Sequence, residues 1–418
     1  MLAQYIIAIV EAAGDVVINV ASIGHAALQL PHRATAHSVF AIPVDDAPEL
    51  FSNLSVRSAA ALHIARAPII QWDEWPRVRK AAWESVLSLL DAQKAQHPRE
   101  YRPKVFIRHG DFRQIPPAIP RASRHVIAQN TVQTSSSRSK FTRFHLSRVW
   151  RQAEDVSFCQ CIDGIGDGTQ PTRSSNAGDL GFVPLRDIAT VADEAAAARQ
   201  AFPHVNDPHH CANAKILAAV NTLMDAHNER ILNVLERTYI RPSYHLLSAD
   251  TLDVDSTGLI EPHLTAEFPT LQNAPGAPPH DLHIVVGGLF ELMRNFNPVE
   301  RLMNHVLVVV KAVHHHHTLK ETLDGREYPL PRIVFRWQIA NGTSTMARRQ
   351  YPPRAAYAST FNGGQGRTLA RACLNVRRSP FAHGHLYAGV TRVKNRDDMR
   401  VPPDFENLNQ NGNALVRN

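Results

Sequence analysis

Residues 67–74 read Ala-Pro-Ile-Ile-Gln-Trp-Asp-Glu, a short apolar run closed by two adjacent carboxylates. Its apolar side chains fall on both faces, the pattern of a parallel strand covered by helices on each side. Two further runs share this character, Val-Val-Ile-Asn-Val-Ala at 16–21 and Lys-Val-Phe-Ile-Arg at 104–108. Between the second and third lies 81–95, where Ala82, Val86, Leu89 and Leu90 fall on one helical stripe. Strand, helix and strand in this order predict a doubly wound α/β domain. Ligands of such sheets bind at the carboxyl ends of the strands, which is where Asp73 and Glu74 stand.

The chain has 418 residues, beyond the roughly 250–300 at which one hydrophobic core stops growing, so two domains are expected. Forty-five Lys and Arg against 38 Asp and Glu give a net charge of +7, with 44% of residues apolar. That composition is globular, neither disordered nor fibrous, and its positive balance favours polyanionic partners. Cys159, Cys161, Cys211 and Cys373 are too few for a disulfide framework and fit a reducing compartment. No run approaches the ~20 apolar residues that cross a bilayer, so no membrane partner is expected. Residues 1–10 lack the basic region of a signal peptide and are followed by Glu11 and Asp15, so they are read as a buried helix.

Farther along, 131–140 reads as a polar surface loop and 164–179 as a flexible connection. Residues 193–201 and 214–235 read as helices, 268–279 as a Pro-rich turn region, and 284–286, 306–310 and 333–337 as strands. The expected layout is one α/β domain over 1–155 and a second, more interrupted one over 156–418.

Two polar clusters are placed for chemistry. Asp73 and Glu74 suit a nucleotide hydrolase, in which one carboxylate holds hydrated Mg²⁺ and the other orients or deprotonates the attacking water. An acidic pair after a strand also suits a helix N-terminus complementing the macrodipole. The next strand ends in Gly110-Asp111-Phe112-Arg113-Gln114 before Pro116 and Pro117. Its glutamine suits a sensor of a terminal phosphate, and its Gly and Pro suit a plain turn.

Taken in order, Thr35-Ala36-His37-Ser38, Gln71-Trp72-Asp73-Glu74 and Gly110-Asp111-Phe112-Arg113-Gln114 resemble motifs Ia, II and III of the Pif-type (petite integration frequency) ATP-dependent DNA helicases. The branch carried by Helitron transposons is the nearest in character. Residues 146–151 resemble the family's Leu-Thr-x-Asn-x-Arg segment, 292–298 motif IV, 357–368 motif V and 383–393 motif VI. The resemblance implies two RecA-like parallel-sheet domains, with a small wedge hairpin at about 40–57 and a small β-barrel-like insertion at about 304–349.

It also implies roles. Asp73 would bind Mg²⁺ through water, Glu74 would be the catalytic base, and Gln114 would contact the γ-phosphate of ATP. Arg294 would reach that phosphate from the second domain and Arg392 would be an arginine finger. Gln365 and Gly366 would link the nucleotide site to DNA, while Thr35, His37 and Thr360 would touch single-stranded DNA. The expected partners are single-stranded DNA and DNA junctions, acted on 5′ to 3′ by a monomer. By family the setting is the nucleus or mitochondrion, in repair, recombination and telomere maintenance.

Several positions depart from the family pattern. No Gly-Lys-Ser or Gly-Lys-Thr occurs in the chain, so the phosphate-cradling loop that opens the family's nucleotide site has no counterpart. Residues 1–14 resemble the helix that follows that loop, so the chain is expected to start past it. Gly363 and Gly364 stand where the family has Lys-Ser, His385 where it has glutamine, Gly389 and Val390 where it has Ala-Leu, and Ala219 where it has proline. Weak or absent ATP turnover is therefore expected, with a non-catalytic single-strand DNA-binding remnant as the alternative. The run His314–His317 lacks the surrounding pattern of a metal site.

Overall fold

The apolar run at 67–74 contains the strand Ile69–Asp73. In this computed structural model the described residues are 2–27, 29–31, 34–44, 47–119, 122–147, 149–172, 182–185, 188–253, 268–274, 276–297, 300–339, 345–377, 382–402 and 415–417. The chain divides into a first unit of Met1–Pro171, Pro380–Ala388 and Asn418, and a second of Thr172–Ser379 and Gly389–Arg417. The boundary expected near 155 falls later, because the helix Val156–Asp167 groups with the first unit. Part of the expected connection, 164–167, is the last turn of that helix, which Gly168 closes in the left-handed region; 173–179 lie outside the described residues.

In the first unit Ile69–Asp73 is the middle of a parallel sheet, with Val17–Ala21 on one side and Val105–Arg108 on the other. Ile18, Val20, Ile70 and Trp72 form one buried layer with Trp83, Val86 and Leu90 of the helix Lys80–Gln96. The Trp83 ring meets Trp72, Trp75 and Phe106 edge-on at 5.9, 5.7 and 5.0 Å, favourable geometries for aromatic pairs.

Three local expectations are corrected here. The helix Leu2–Ala12 forms, but Ile7 is its buried side chain while Tyr5 and Ile9 are exposed, so it turns only one narrow stripe inward. Residues 131–140 are not a surface loop: Val132, Ser135 and Ser137 are buried, and Ser137 Oγ accepts a hydrogen bond from Trp83 Nε1 at 2.8 Å. No strand forms among the described residues of 40–57, where a wedge hairpin was expected. Pro43 and Pro48 lack the N–H a ladder needs. The segment is instead a loop closed by Ser52 Oγ donating to Phe40 O at 2.6 Å and Asn53 N donating to Ala41 O at 3.0 Å.

The second unit holds a parallel sheet in the order Ala358–Thr360, Ala214–Ala218, Arg371–Asn375, Met399–Arg400. Residues 214–218, expected as the start of a long helix, are a fully buried strand, and the helix runs Asn221–Thr238. The short run Ala-Lys-Ile-Leu-Ala fits both periods, and burial on both faces selects the strand. The insertion at 304–349 is antiparallel β. Leu307–Val313, His317–Thr322 and Glu327–Pro331 join Leu289–Leu292 and Pro353–Ala355 in one sheet, while Ile333–Gln338 and Thr345–Gln350 pair with Ala249–Asp253 in another. Among the described residues no three His, Cys, Asp or Glu are grouped to hold a metal, and no helix is long and apolar enough to cross a membrane.

Candidate functional site

Asp73 ends the middle strand of the first unit level with Ala21, and both it and Glu74 are half-buried. Ser22 fixes this end by donating from N to Asp73 O at 3.0 Å, while its Oγ accepts from Trp72 Nε1 at 2.9 Å. Asp73 Oδ1 accepts from Glu74 N at 2.9 Å. That turn places Glu74 at φ 52°, ψ 38°, the left-handed region that a non-glycine residue occupies at a cost of roughly 1 kcal/mol or more. The strain has a geometric result: Glu74 leaves the strand direction and a short helix, Trp75–Arg77, starts at once. Arg77 and Arg151 both sense the Glu74 charge; burial lowers the pKa of each, and Glu74 opposes the shift.

The adjacent strand Val105–Arg108 is tied to the same corner. His109 N donates to Trp72 O and Trp75 N to His109 O, both at 2.9 Å. Burial lowers the His109 pKa and Asp73 partly offsets it. Gly110 is required on two counts: φ is 153°, and a Cβ there would stand 2.1 Å from Pro76 Cδ.

Asp111 then organises the turn toward Gln114. Its Oδ1 accepts from Arg113 N at 2.9 Å and Arg113 Nε at 3.2 Å, and its Oδ2 accepts from the Tyr387 hydroxyl at 2.6 Å. Arg113 Nη1 donates to Asp163 at 2.8 Å and the guanidinium lies 4.9 Å from the Tyr387 ring centre. Burial works against the charge on Arg113, but Tyr387, Asp111 and Asp163 outweigh it and raise the pKa. Gly384, at φ 75°, packs so closely that a Cβ would be 2.6 Å from the carbonyl carbon of Gln114. The backbone of Gln114 is thus held by Asp111 on one side and by the 384–387 turn on the other, and sequence reasoning did not single out Tyr387 or Asp163. Their signals were a tyrosine inside the segment resembling motif VI and an acid on the next helix.

Thr35 bridges to Ala21 and caps the helix Ala36–Val39, accepting from Ser38 N at 3.3 Å. The pKa of His37, two residues on, is lowered by burial and by Arg79, both of which disfavour the charged ring. The first unit therefore brings Asp73, Glu74, Gln114, Thr35 and His37 to the carboxyl end of one sheet.

The remaining expected residues belong to the second unit. Thr360 ends the strand Ala358–Thr360 and accepts from Gly363 N at 3.1 Å as a helix cap. Gln365 is buried and Gly366 has φ 84°. Arg294 is exposed with its guanidinium 5.3 Å from the Phe335 ring centre. Arg392 is only 2% exposed, donating to Arg367 O at 3.3 Å and to Thr391 Oγ1 at 2.7 Å. An arginine finger presents a free fork, whereas the Arg392 side chain is buried.

A parallel α/β sheet with adjacent carboxylates at its carboxyl edge and a polar cluster on the neighbouring strand end has the layout of a RecA-like fold. Residues 1–176 match the family described as PIF1-like helicase. A search of curated proteins finds no match. Among solved structures, the chain is similar to a Pif1 helicase from Candida albicans, at 21% identity over 100% of this chain and 90% of that one, with TM-score 0.62. It is similar to Bacteroides Pif1 bound to ssDNA, at 15% identity over 96% and 85%, with TM-score 0.67. A third likeness is to Bacteroides Pif1 in complex with ADP-AlF3 and ssDNA, at 16% identity over 92% and 82%, with TM-score 0.62. At these identities the likeness is one of fold.

Proposed function

We propose that the chain is an ATP-dependent DNA helicase moving 5′ to 3′ on single strands, with ATP turnover limited by the absence of a Gly-Lys-Ser or Gly-Lys-Thr loop from its 418 residues. The observation that carries this reading is the corner formed by Asp73, Glu74 and the 110–114 turn at adjacent parallel strand ends. Two carboxylates are a fitting donor set for Mg²⁺, which takes one or two of them together with phosphate oxygens and water. Mg²⁺–ATP, when bound, supplies the phosphoryl group whose transfer to water drives movement.

Asp73 would hold the metal through water. Glu74, turned out of the strand, orients and deprotonates the attacking water, and Arg77 and Arg151 balance its charge. Gln114 reports the terminal phosphate through the turn that Asp111 and Tyr387 hold. Arg294 and Arg392 supply positive charge from the second unit when they are presented, and Gln365 and Gly366 couple that event to DNA. Thr35, His37 and Thr360 contact DNA phosphates. The working unit is a single chain acting on single strands and junctions, and the setting is nuclear.

Strand displacement tests this. Forked DNA with a 5′ tail should be unwound with ATP and Mg²⁺, and 3′-tailed DNA should not. Displacement of neither contradicts the motor, and displacement of 3′-tailed DNA alone contradicts the polarity. That no Gly-Lys-Ser or Gly-Lys-Thr occurs in these 418 residues favours one further reading, a non-catalytic single-strand DNA-binding protein. That reading predicts salt-dependent oligonucleotide binding with no ATP turnover.

A further inference from the structure

Residues 112–153 contain eight Arg and Lys and no Asp or Glu, so this one stretch holds more net charge than the +7 of the whole chain. Within it, 142–147 lie outside any helix or strand and every one of these residues is exposed. Phe144 is 88% exposed, Leu146 73% and Trp150 70%. Polar and basic residues alternate with them, since Arg143 and His145 flank Phe144. The strip is anchored at its start: Phe141 packs on Trp83 and Phe106 at 6.1 and 6.4 Å, and the Arg108 guanidinium lies 3.0 Å from the Phe141 ring centre. Burial, together with the nearby charge of Arg143, lowers the Arg108 pKa to about 10.

We propose that residues 138–147 together with Trp150 form a single-stranded DNA contact of the first unit, in which Arg138, Lys140 and Arg143 take backbone phosphates and Phe144 and Trp150 stack on bases. It is separate in sequence from the Thr35–His37 contact and rests on the helicase reading. A positive track with interleaved exposed rings is what a sequence-tolerant single-strand surface needs, since every base offers a π-face. A duplex keeps its base faces covered, so the rings would gain nothing from it. An apolar patch alone would suit a protein partner; the lack of any acid over 112–153 selects a polyanion instead.

The test is fluorescence anisotropy of a labelled oligothymidylate with the full chain, titrated at several salt concentrations. Replacing Phe144 and Trp150 together by Ala should weaken binding at least about tenfold, with thermal stability and duplex binding unchanged. Replacing Lys140 and Arg143 by Ala should lower the slope of log affinity against log salt by about 0.7 for each phosphate that the variant no longer neutralises. Unchanged affinity and slope in both variants would overturn the proposal. So would loss of self-association in sedimentation for the Phe144→Ala, Leu146→Ala variant with DNA binding intact, which would assign the strip to a second copy of the chain. If the wild-type chain binds no oligonucleotide, the helicase reading fails with it. If the wild type binds DNA and unwinds it but the strip variants behave alike, only the strip is refuted.

Discussion

The two units treat their charged residues in opposite ways. In the first, Asp73 and Glu74 stand half-buried at a strand end, and Glu74 is held in a left-handed conformation that turns it away from the sheet. In the second, the charges are drawn inside. Glu291 is buried and paired to Arg354 at 2.6 Å and to Arg367 at 3.4 Å, with its carboxyl held well below the usual range despite burial because Arg354, His305 and Lys215 surround it. Lys215 is buried beside it, donating to Ala356 O, and desolvation brings its pKa to about 7. A strained acid at a sheet edge is disposed for chemistry; a satisfied acid under three cations is disposed for stability. Motif likeness ranks Arg392 beside Glu74, and burial separates them.

That contrast can be broken by substitution. Glu291→Gln leaves Arg354, Arg367 and Lys215 without their counter-charge, so chemical denaturation should show a loss of about 3–5 kcal/mol. Glu74→Gln should leave the denaturation midpoint unchanged, and equal losses in the two variants would erase the distinction.

Lys320 gives the next effect. It is buried with its Nζ lacking a hydrogen-bond partner among the described residues and lying 5.1 Å from the Phe290 ring centre, and desolvation lowers its pKa to about 7. Its unfolded form binds the proton more readily, so the wild type should lose stability as pH falls from about 10.5 toward 7. Lys320→Met should flatten that slope and stabilise the chain by about 1–3 kcal/mol at pH 7. A destabilised variant would mean that the amine is paired.

Glu74→Gly removes the left-handed strain and should raise stability by roughly 1 kcal/mol while removing the carboxylate. A lower melting temperature would show that the turn is held by the Glu74 side chain. The smallest effect at neutral pH is expected at His385, whose pKa burial and Arg77 depress to about 4. Because the folded value lies below the unfolded value of about 6.5, its contribution is complete above pH 6.5 and lost as pH falls toward 4. His385→Gln should weaken the acid sensitivity of the melt in that window, and an unchanged profile would exclude His385 as its source.

The first sheet was legible because each of its strands is a short apolar run with polar punctuation at its carboxyl end, and the helix Lys80–Gln96 announced itself by its stripe. What could not be read followed from tertiary context. Residues 214–218 carry no periodicity that separates strand from helix, and 131–137 look polar although Ser137 is buried as the acceptor for Trp83. The site divided in the same way. Asp73, Glu74 and Gln114 were legible as strand-end residues, whereas the Asp111–Tyr387 hydrogen bond joins positions far apart in sequence and only the folded chain reveals it. The inward setting of Arg392 was equally invisible, since a motif specifies the residue and not its exposure.

ATP hydrolysis by the purified chain, measured with and without an oligothymidylate, tests the central claim most directly. Turnover should be slow, Mg²⁺-dependent and stimulated by DNA, and Glu74→Gln should lower it by a factor of about 10²–10⁴. Turnover that is absent in the wild type, or that persists unchanged in Glu74→Gln, would contradict it.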